Sequence, residues 1–276
     1  MKADEFYVRF WGVRGSLPCP GNDFAEFGGN TPCLEIRCGD HVLVFDAGSG
    51  IQPLGCALLQ SGCTKLDLFF THCHYDHICG LPFFGPLYCP DVNAKLWSGH
   101  HQDGLTTEGM VSQFMTAPFF PVGPEVFLSK PDYVDFKPGD ELNPQTGVVV
   151  HTTELNHPNG CVGYRIEFGG KTICYISDTE HEAGKTDERV FDLIKDADIV
   201  IYDAAYTEEE YEQYRGFGHS TWQEGVRLCD LAGAGRYVIF HHCPRHEDAF
   251  LAELEQEVVR ARPGSLIARE GLVLHP

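Results

Sequence analysis

Thr71-His-Cys-His-Tyr-Asp-His77 sets three imidazoles and a carboxylate at His72, His74, Asp76 and His77. It follows directly on Leu66-Asp-Leu-Phe-Phe70, an apolar run that reads as a buried strand. A chain leaving a strand can present all four groups from one short loop. Zinc takes imidazole nitrogen and carboxylate oxygen at about 2.0–2.2 Å, and an open catalytic zinc needs three protein ligands. Four donors within so short a run exceed that need and point to two metals. A helix starting near Tyr75 would turn Asp76 and His77 back toward His72 and His74. The ordinary alternative, a His-rich surface loop, fits less well with Gly80-Leu-Pro82 following at once.

Composition bounds the rest. At 276 residues and 43% hydrophobic, the chain can bury a full core as one large domain or two small ones. Its 40 acidic against 20 basic residues give a net charge of −20, and the stretch 178–212 is acidic with few counterions. Such a field repels phosphate backbones, so a long nucleic-acid partner is disfavoured. The 12 cysteines are scattered without a Cys-x-x-Cys pair, and read as small apolar fillers rather than a disulfide framework. Met1-Lys-Ala-Asp-Glu5 carries no apolar signal region, and no window approaches a membrane span. The cytoplasm is the expected compartment.

Further along the chain, potential ligands recur just past strand-like runs. Val148–Thr153 is followed by His157, and Lys171–Ile176 by Asp178. Asp198–Tyr202 ends in Asp203-Ala-Ala-Tyr206, and Tyr237–Phe240 in His241-His-Cys-Pro244. Carboxyl ends of strands are where an αβ architecture leaves its crevice open. Helical periods lie at 53–60, 187–195, 208–214, 221–231 and 247–262, the fourth capped by Ser220 and Thr221 and stopped by Gly233. His41–Phe45 pairs with Cys33–Cys38 through a Gly39-Asp40 turn as a hairpin. No linker divides the chain, so one domain, 1–276, is expected. Between 78 and 125, prolines interleaved with aromatic residues suggest a lid-like insertion whose rings could stack on a substrate.

Taken in order, His72-Cys-His-Tyr-Asp-His77, His157, Asp178 and His241 resemble the metal-binding signature of the metallo-β-lactamase superfamily, over nearly the whole chain. The resemblance implies an α/β fold, a four-layer αββα sandwich with a two-zinc centre between the sheets; Mn2+ or Fe2+ could take the place of zinc. It gives His72, His74 and His157 to one metal and Asp76, His77 and His241 to the other, with Asp178 bridging. Two such metals share and activate a water, here expected as a bridging hydroxide, and clamp both oxygens of an in-line displacement. Asp76 could also accept a hydrogen bond from that hydroxide.

Gly218-His-Ser-Thr221 and Asp203-Ala-Ala-Tyr206 resemble two loops of the phosphodiesterase branch, which includes ribonuclease Z. That likeness implies that His219, oriented by Asp203, faces the scissile phosphate and protonates the departing alkoxide. The branch often has Glu where this chain has the shorter Asp203. Arg9–Ser16, Phe27–Thr31 and Asp46–Gly50 look like a bacterial subgroup related to small cyclic-nucleotide phosphodiesterases. Asn30 and Thr31 are candidates for substrate binding beside the metals, with a plain connecting turn as the equal alternative.

The expected activity is hydrolysis of a small phosphodiester, a 3′,5′- or 2′,3′-cyclic nucleotide. The competing reading keeps the metals for an ester, lactone or thioester. Relatives of this kind are often dimers, so a homodimer is expected by resemblance. Of the paired histidines, His241 is the better ligand, because strand alternation sends His242 the other way. His100, His101, His151 and His246 read as surface or supporting groups, and Arg14 and Arg245 as ordinary loop or ion-pair residues.

Overall fold

The computed structural model describes residues 5–276; residues 1–4, which open the N-terminal run read above, lie outside the described residues. Two sheets face each other. The first contains β1 (Phe6–Gly12), β2 (Cys33–Cys38), β3 (His41–Phe45), β4 (Lys65–Phe70), β5 (Asn93–Ser98), β6 (Asp132–Asp135) and β14 (Val273–Leu274), in the order β14-β1-β2-β3-β4-β5-β6. The second contains β7 (Glu141–Leu142), β8 (Val149–Leu155), β9 (Cys161–Phe168), β10 (Lys171–Ile176), β11 (Ile199–Asp203), β12 (Arg236–Phe240) and β13 (Leu266–Ile267), in the order β13-β12-β11-β10-β9-β8-β7. Each is part antiparallel and part parallel: β3 to β6 run parallel in the first, β10 to β13 in the second.

Period-two burial builds the layers. Phe69 of β4 stacks between Phe45 and Trp97 in the core between the sheets, while Leu66, Leu68 and Phe70 face the other way. There they meet α1 (Ile51–Gln60), whose buried residues Ile51, Leu54, Gly55 and Leu58 form one helical stripe. On the far side, α4 (Glu188–Ile194), α6 (Trp222–Leu231) and α7 (Asp248–Ala261) cover the second sheet through Val190, Leu228, Leu251 and Val258. The result is the expected αββα sandwich. Each large apolar side chain so buried contributes about 1.5–3 kcal/mol. Helix starts follow their caps: Asp187 holds the first turn of α4, Thr207 and Glu210 make a reciprocal capping box on α5 (Glu208–Tyr214), and Thr221 accepts from Glu224 on α6.

The 78–125 stretch differs from a lid-like insertion. It supplies β5 and α3 (Thr107–Phe114) to the first half of the sandwich, and Leu81, Phe84, Leu87, Leu96, Met110 and Val111 are buried there. Pro82, Pro86 and Pro124 sit in the first turns of 3-10 helices, where a missing N–H costs nothing. Phe83 and Phe119 remain exposed. Among the described residues, no helix is long and apolar enough to cross a membrane.

Candidate metal centre

All but one of the cluster's side chains come from a strand's carboxyl end. β4 delivers His72 and His74, then α2 (Tyr75–Ile78), whose single turn brings Asp76 and His77 back as expected. The turns after β8, β10 and β12 bring His157, Asp178 and His241, and Asp203 is the last residue of β11. His219 arrives on the segment before α6, held by a bridge between Tyr206 and Thr221.

Three overlapping groups result: His72, His74, His157 and Asp178; Asp76, His77, Asp178 and His241; and Asp178, Asp203, His219 and His241. Asp178 is common to all. Its Oδ2 lies 3.6 Å from His72 Nε2 and 3.7 Å from His157 Nε2, while its Oδ1 lies 3.3 Å from His77 Nε2 and 3.2 Å from His241 Nε2. Asp76 Oδ2 closes the second group at 3.3 Å from His77 Nε2 and 3.1 Å from His241 Nε2.

The donor set fits divalent cations, and the reason lies in the outer nitrogens. His157 Nδ1 meets the Gly218 carbonyl at 2.7 Å, and His74 Nε2 meets Asn159 Oδ1 at 3.3 Å. Each proton therefore sits on the outer nitrogen, and the inner ones, His157 Nε2 and His74 Nδ1, point lone pairs at each other across 2.9 Å. Two lone pairs cannot bond each other; a shared cation reconciles them. His72 Nε2 is likewise buried with no hydrogen-bond partner. Ligand atoms at tetrahedral angles about 2.05 Å from a zinc stand about 3.3 Å apart, close to the separations seen in both groups.

The second group has the same design. His77 Nδ1 lies 2.9 Å from Asp46 Oδ2, and Asp46 also accepts from the Thr71 N–H and hydroxyl and from the Tyr175 hydroxyl. This carboxylate fixes the tautomer that aims His77 Nε2 inward. Burial disfavours charge on His77, but Asp178, Asp76 and Asp46 together hold its pKa well above the ordinary value. Burial also works against ionisation of Asp178, yet the rings of His241, His77 and His72 keep its carboxyl well below the usual range. The carboxylates thus set a strongly negative field around the imidazole rings, which is what a metal ion neutralises.

His219 Nδ1 lies 3.0 Å from Asp203 Oδ2, so the shorter acid reaches its partner. Asp203 is itself fixed by the N–H groups of Thr179 and Ala205. Burial would lower the pKa of His219, but Asp203, by charge and hydrogen bond, and then Asp178 and Asp76 raise it to about 9. Its ring stacks on His241 at 4.8 Å and lies 5.4 Å from His157. An imidazole whose protonated form Asp203 favours therefore stands at the edge of both metal groups.

Other expectations fare differently. Asn30 and Thr31 are engaged within the protein: Asn30 donates to Glu270 and accepts from Ser49, and the buried Thr31 Oγ1 accepts from the Ser49 N–H at 2.7 Å. They brace the turn after β3, which is the correction their hydrogen bonds impose. His242 turns away, with Nε2 on the Ala268 carbonyl at 2.8 Å, but strand alternation is not the reason. Phe240 already faces the inter-sheet core, so His241 reaches the site only because its φ of 62° breaks the alternation. Arg14 is fully buried, bonding the carbonyls of Gly28, Cys243 and His246. His100 is buried rather than superficial.

Several functional residues escaped the sequence reading. Asp46 is one: the sequence places it in the Asp46–Gly50 motif without a role, and its φ of 63°, uncommon for a non-glycine, shows only in the structure. Ser16 donates its N–H to Asp76 Oδ2 at 2.7 Å, and Gly15 packs so closely that a Cβ there would lie 2.4 Å from His241 Nδ1.

A family model described as a beta-lactamase superfamily domain matches residues 41–242. A ribonuclease Z of Haloarcula marismortui is 25% identical over an alignment of 310 positions, covering 95% of this chain and 94% of that protein. Among solved structures, a diphosphatase from the PhnP family superposes with a TM-score of 0.72 at 18% identity, covering 99% of this chain and 98% of the other. Zn(2+)-bound PqqB from Methylobacterium extorquens gives a TM-score of 0.74 at 16% identity, with 98% and 100% covered.

Proposed function

The chain belongs to the beta-lactamase superfamily, and we propose that it is a metal-dependent hydrolase that cleaves a small phosphodiester, a 3′,5′- or 2′,3′-cyclic nucleotide. The observation that carries the reading is the His219–Asp203 pair, standing 3.0 Å apart at the edge of a double metal-binding group that shares Asp178. A thioester hydrolase needs the cluster but no proton donor, because a thiolate leaves unprotonated. The alkoxide leaving a phosphodiester needs a proton, which the His219 imidazole is placed to give.

His72, His74, His157 and Asp178 would hold one cation, and Asp76, His77, His241 and Asp178 the other. Bound there, two zinc ions would supply an activated water and neutralise charge on the phosphoryl oxygens. The chain's own residues do the rest. Asp46, Asn159 and the Gly218 carbonyl keep the imidazole protons on the outer nitrogens, so the ligand tautomers are set beforehand. Asp203 holds His219 in its charged form and fixes its ring, leaving Nε2–H to face the substrate. That proton passes to the departing oxygen.

A small substrate suits the chain better than a transfer RNA. The net charge of −20 opposes a polyanion. The 310-position alignment is also longer than the 276 residues of this chain, so the ribonuclease Z relative has stretches that this chain lacks. The relatives named ribonuclease Z support phosphodiester chemistry, and zinc in the related PqqB fold supports the choice of metal.

The test is direct. Protein loaded with zinc or manganese is assayed on bis(p-nitrophenyl) phosphate and on 3′,5′- and 2′,3′-cyclic nucleotides, with product chromatography. Turnover of the chromogenic diester and of at least one cyclic nucleotide is expected. Turnover of carboxyl esters or thioesters with no diester cleaved would overturn the reading.

A further inference from the structure

Glu180 lies two residues past Asp178 and plays no part in the chemistry described so far. Its backbone is doubly bonded to Asn156, the residue before His157: Glu180 N–H donates to the Asn156 carbonyl at 2.8 Å, and Asn156 Nδ2 donates to the Glu180 carbonyl at 2.6 Å. Its side chain reaches a third segment. The Gly216 N–H lies 2.8 Å from Oε1 and 2.9 Å from Oε2, and the Gly218 N–H donates to Oε2 at 2.8 Å. Both glycines have positive φ, 89° and 84°, which turns their N–H groups onto the one carboxylate. One residue thus ties together the loops that carry His157, Asp178 and His219.

We propose that Glu180 is the positioning residue for His219, fixing that loop's backbone while Asp203 fixes the ring. The assignment rests on the acid role given to His219. Three loops meeting at one carboxylate cannot move independently, and charge-assisted bonds to two N–H groups are stronger than neutral ones. Gly218 sets the tolerance. Its carbonyl bonds His157, and a Cβ on it would lie 2.3 Å from His157 Nδ1, so the loop has no room to slide inward. Once released by Glu180, the loop can only move outward, and His219 moves with it.

The effect should depend on the leaving group. A cyclic nucleotide expels an alkoxide that needs the proton of His219, whereas p-nitrophenolate departs without one. In metal-loaded full-length protein, Glu180→Ala is expected to lower kcat on the cyclic nucleotide by about 10- to 100-fold, within the range of a lost general acid. At saturating metal its kcat on bis(p-nitrophenyl) phosphate should fall less than about threefold, with KM unchanged. Glu180→Gln keeps one acceptor oxygen and should fall between wild type and Glu180→Ala; it also serves if the alanine variant does not fold. Combining Glu180→Ala with His219→Ala should cost no more than His219→Ala alone. Additive losses in the double variant, or an equal fall on both substrates accompanied by metal loss, would overturn the proposal. If His219→Ala itself shows no leaving-group dependence, the acid role fails instead, and that single variant reveals it.

Discussion

Replacing Asp46 by Asn should weaken the binding of one metal ion and leave the other nearly intact, although a single side-chain atom changes. Asp46 Oδ1 accepts from the Thr71 N–H at 2.8 Å, and Oδ2 accepts from the Tyr175 hydroxyl at 2.8 Å and faces His77 Nδ1 at 2.9 Å. An Asn that places its amide nitrogen at the Oδ1 position sets its N–H against the Thr71 N–H, which is left an unsatisfied buried donor at a cost of about 1–3 kcal/mol. The nitrogen therefore takes the Oδ2 position and donates to His77 Nδ1. That moves the imidazole proton to Nε2, the atom 3.3 Å from both Asp178 Oδ1 and Asp76 Oδ2. A protonated Nε2 has no lone pair for a cation. Loss of such an outer partner typically costs about 10- to 100-fold in metal affinity, or about 1.4–2.7 kcal/mol. Calorimetric titration of zinc into chelator-stripped protein should resolve the change as one weakened class of site. The group of His72, His74 and His157 should shift by less than about threefold, because its outer partners are different. Tyr175→Phe removes one donor but no tautomer control, and both sites should stay within about threefold of wild type. Two unchanged constants in Asp46→Asn, or two that fall together, would refute the tautomer argument.

Chelation should lower thermal stability: at metal 1,000-fold above Kd each site adds about 4.1 kcal/mol. With about 2.1 cal/mol/K of unfolding entropy per residue over 276 residues, that is about 7 °C per site, so calorimetry with EDTA should show a fall of about 14 °C. Gly15→Ala should lose activity by about 100-fold or more while remaining folded by circular dichroism, because its Cβ would lie 2.4 Å from His241 Nδ1 and push the ring out of a geometry in which 1 Å matters. The third concerns pH. The pKa of His219 is raised to about 9, against burial and mainly by Asp203, so its proton and the ion pair's contribution to stability are fully present below the ordinary imidazole range. Both are lost as pH climbs through about 9. The rate on an alkoxide-leaving substrate should fall along that upper limb in wild type, and His219→Ala should show a low rate without the limb.

The cluster was legible because its residues announce themselves by type and by place: imidazoles and carboxylates past the ends of apolar runs. α5 appears at the bounds read from the sequence because its capping box, Thr207 with Glu210, is local. What escaped was long-range or conformational. Asp46 meets His77 31 positions away, and Glu180 meets Gly216 and Gly218 at 36 and 38, separations that no local pattern encodes. It is His241 rather than His242 that reaches the cluster, and the left-handed backbone that aims it inward leaves no trace in residue type. Asn30 and Thr31 bear polar groups suited to a substrate, and only their partners Glu270 and Ser49 reveal that those groups are engaged. The 78–125 stretch misled by composition, since proline at a helix's first turn and proline in a loose loop look alike in sequence.

Four carboxylates, Asp46, Asp76, Asp178 and Asp203, lie less than a tenth exposed around one small volume. Like charges at that depth are costly unless paired. Protonated His219 neutralises Asp203, which leaves three negative charges around the two metal groups. Two divalent cations would bring four positive charges and an activated hydroxide one negative, so the proposed centre would be neutral before substrate binds. A phosphodiester would bring one negative charge to it. The phosphomonoester product would carry about −1.5 to −2 at neutral pH, more than the diester, which within a chain of net charge −20 favours release. On the proposed reading the same field would oppose a long RNA, since every phosphate beyond the scissile one would meet the acidic chain without a cation of its own.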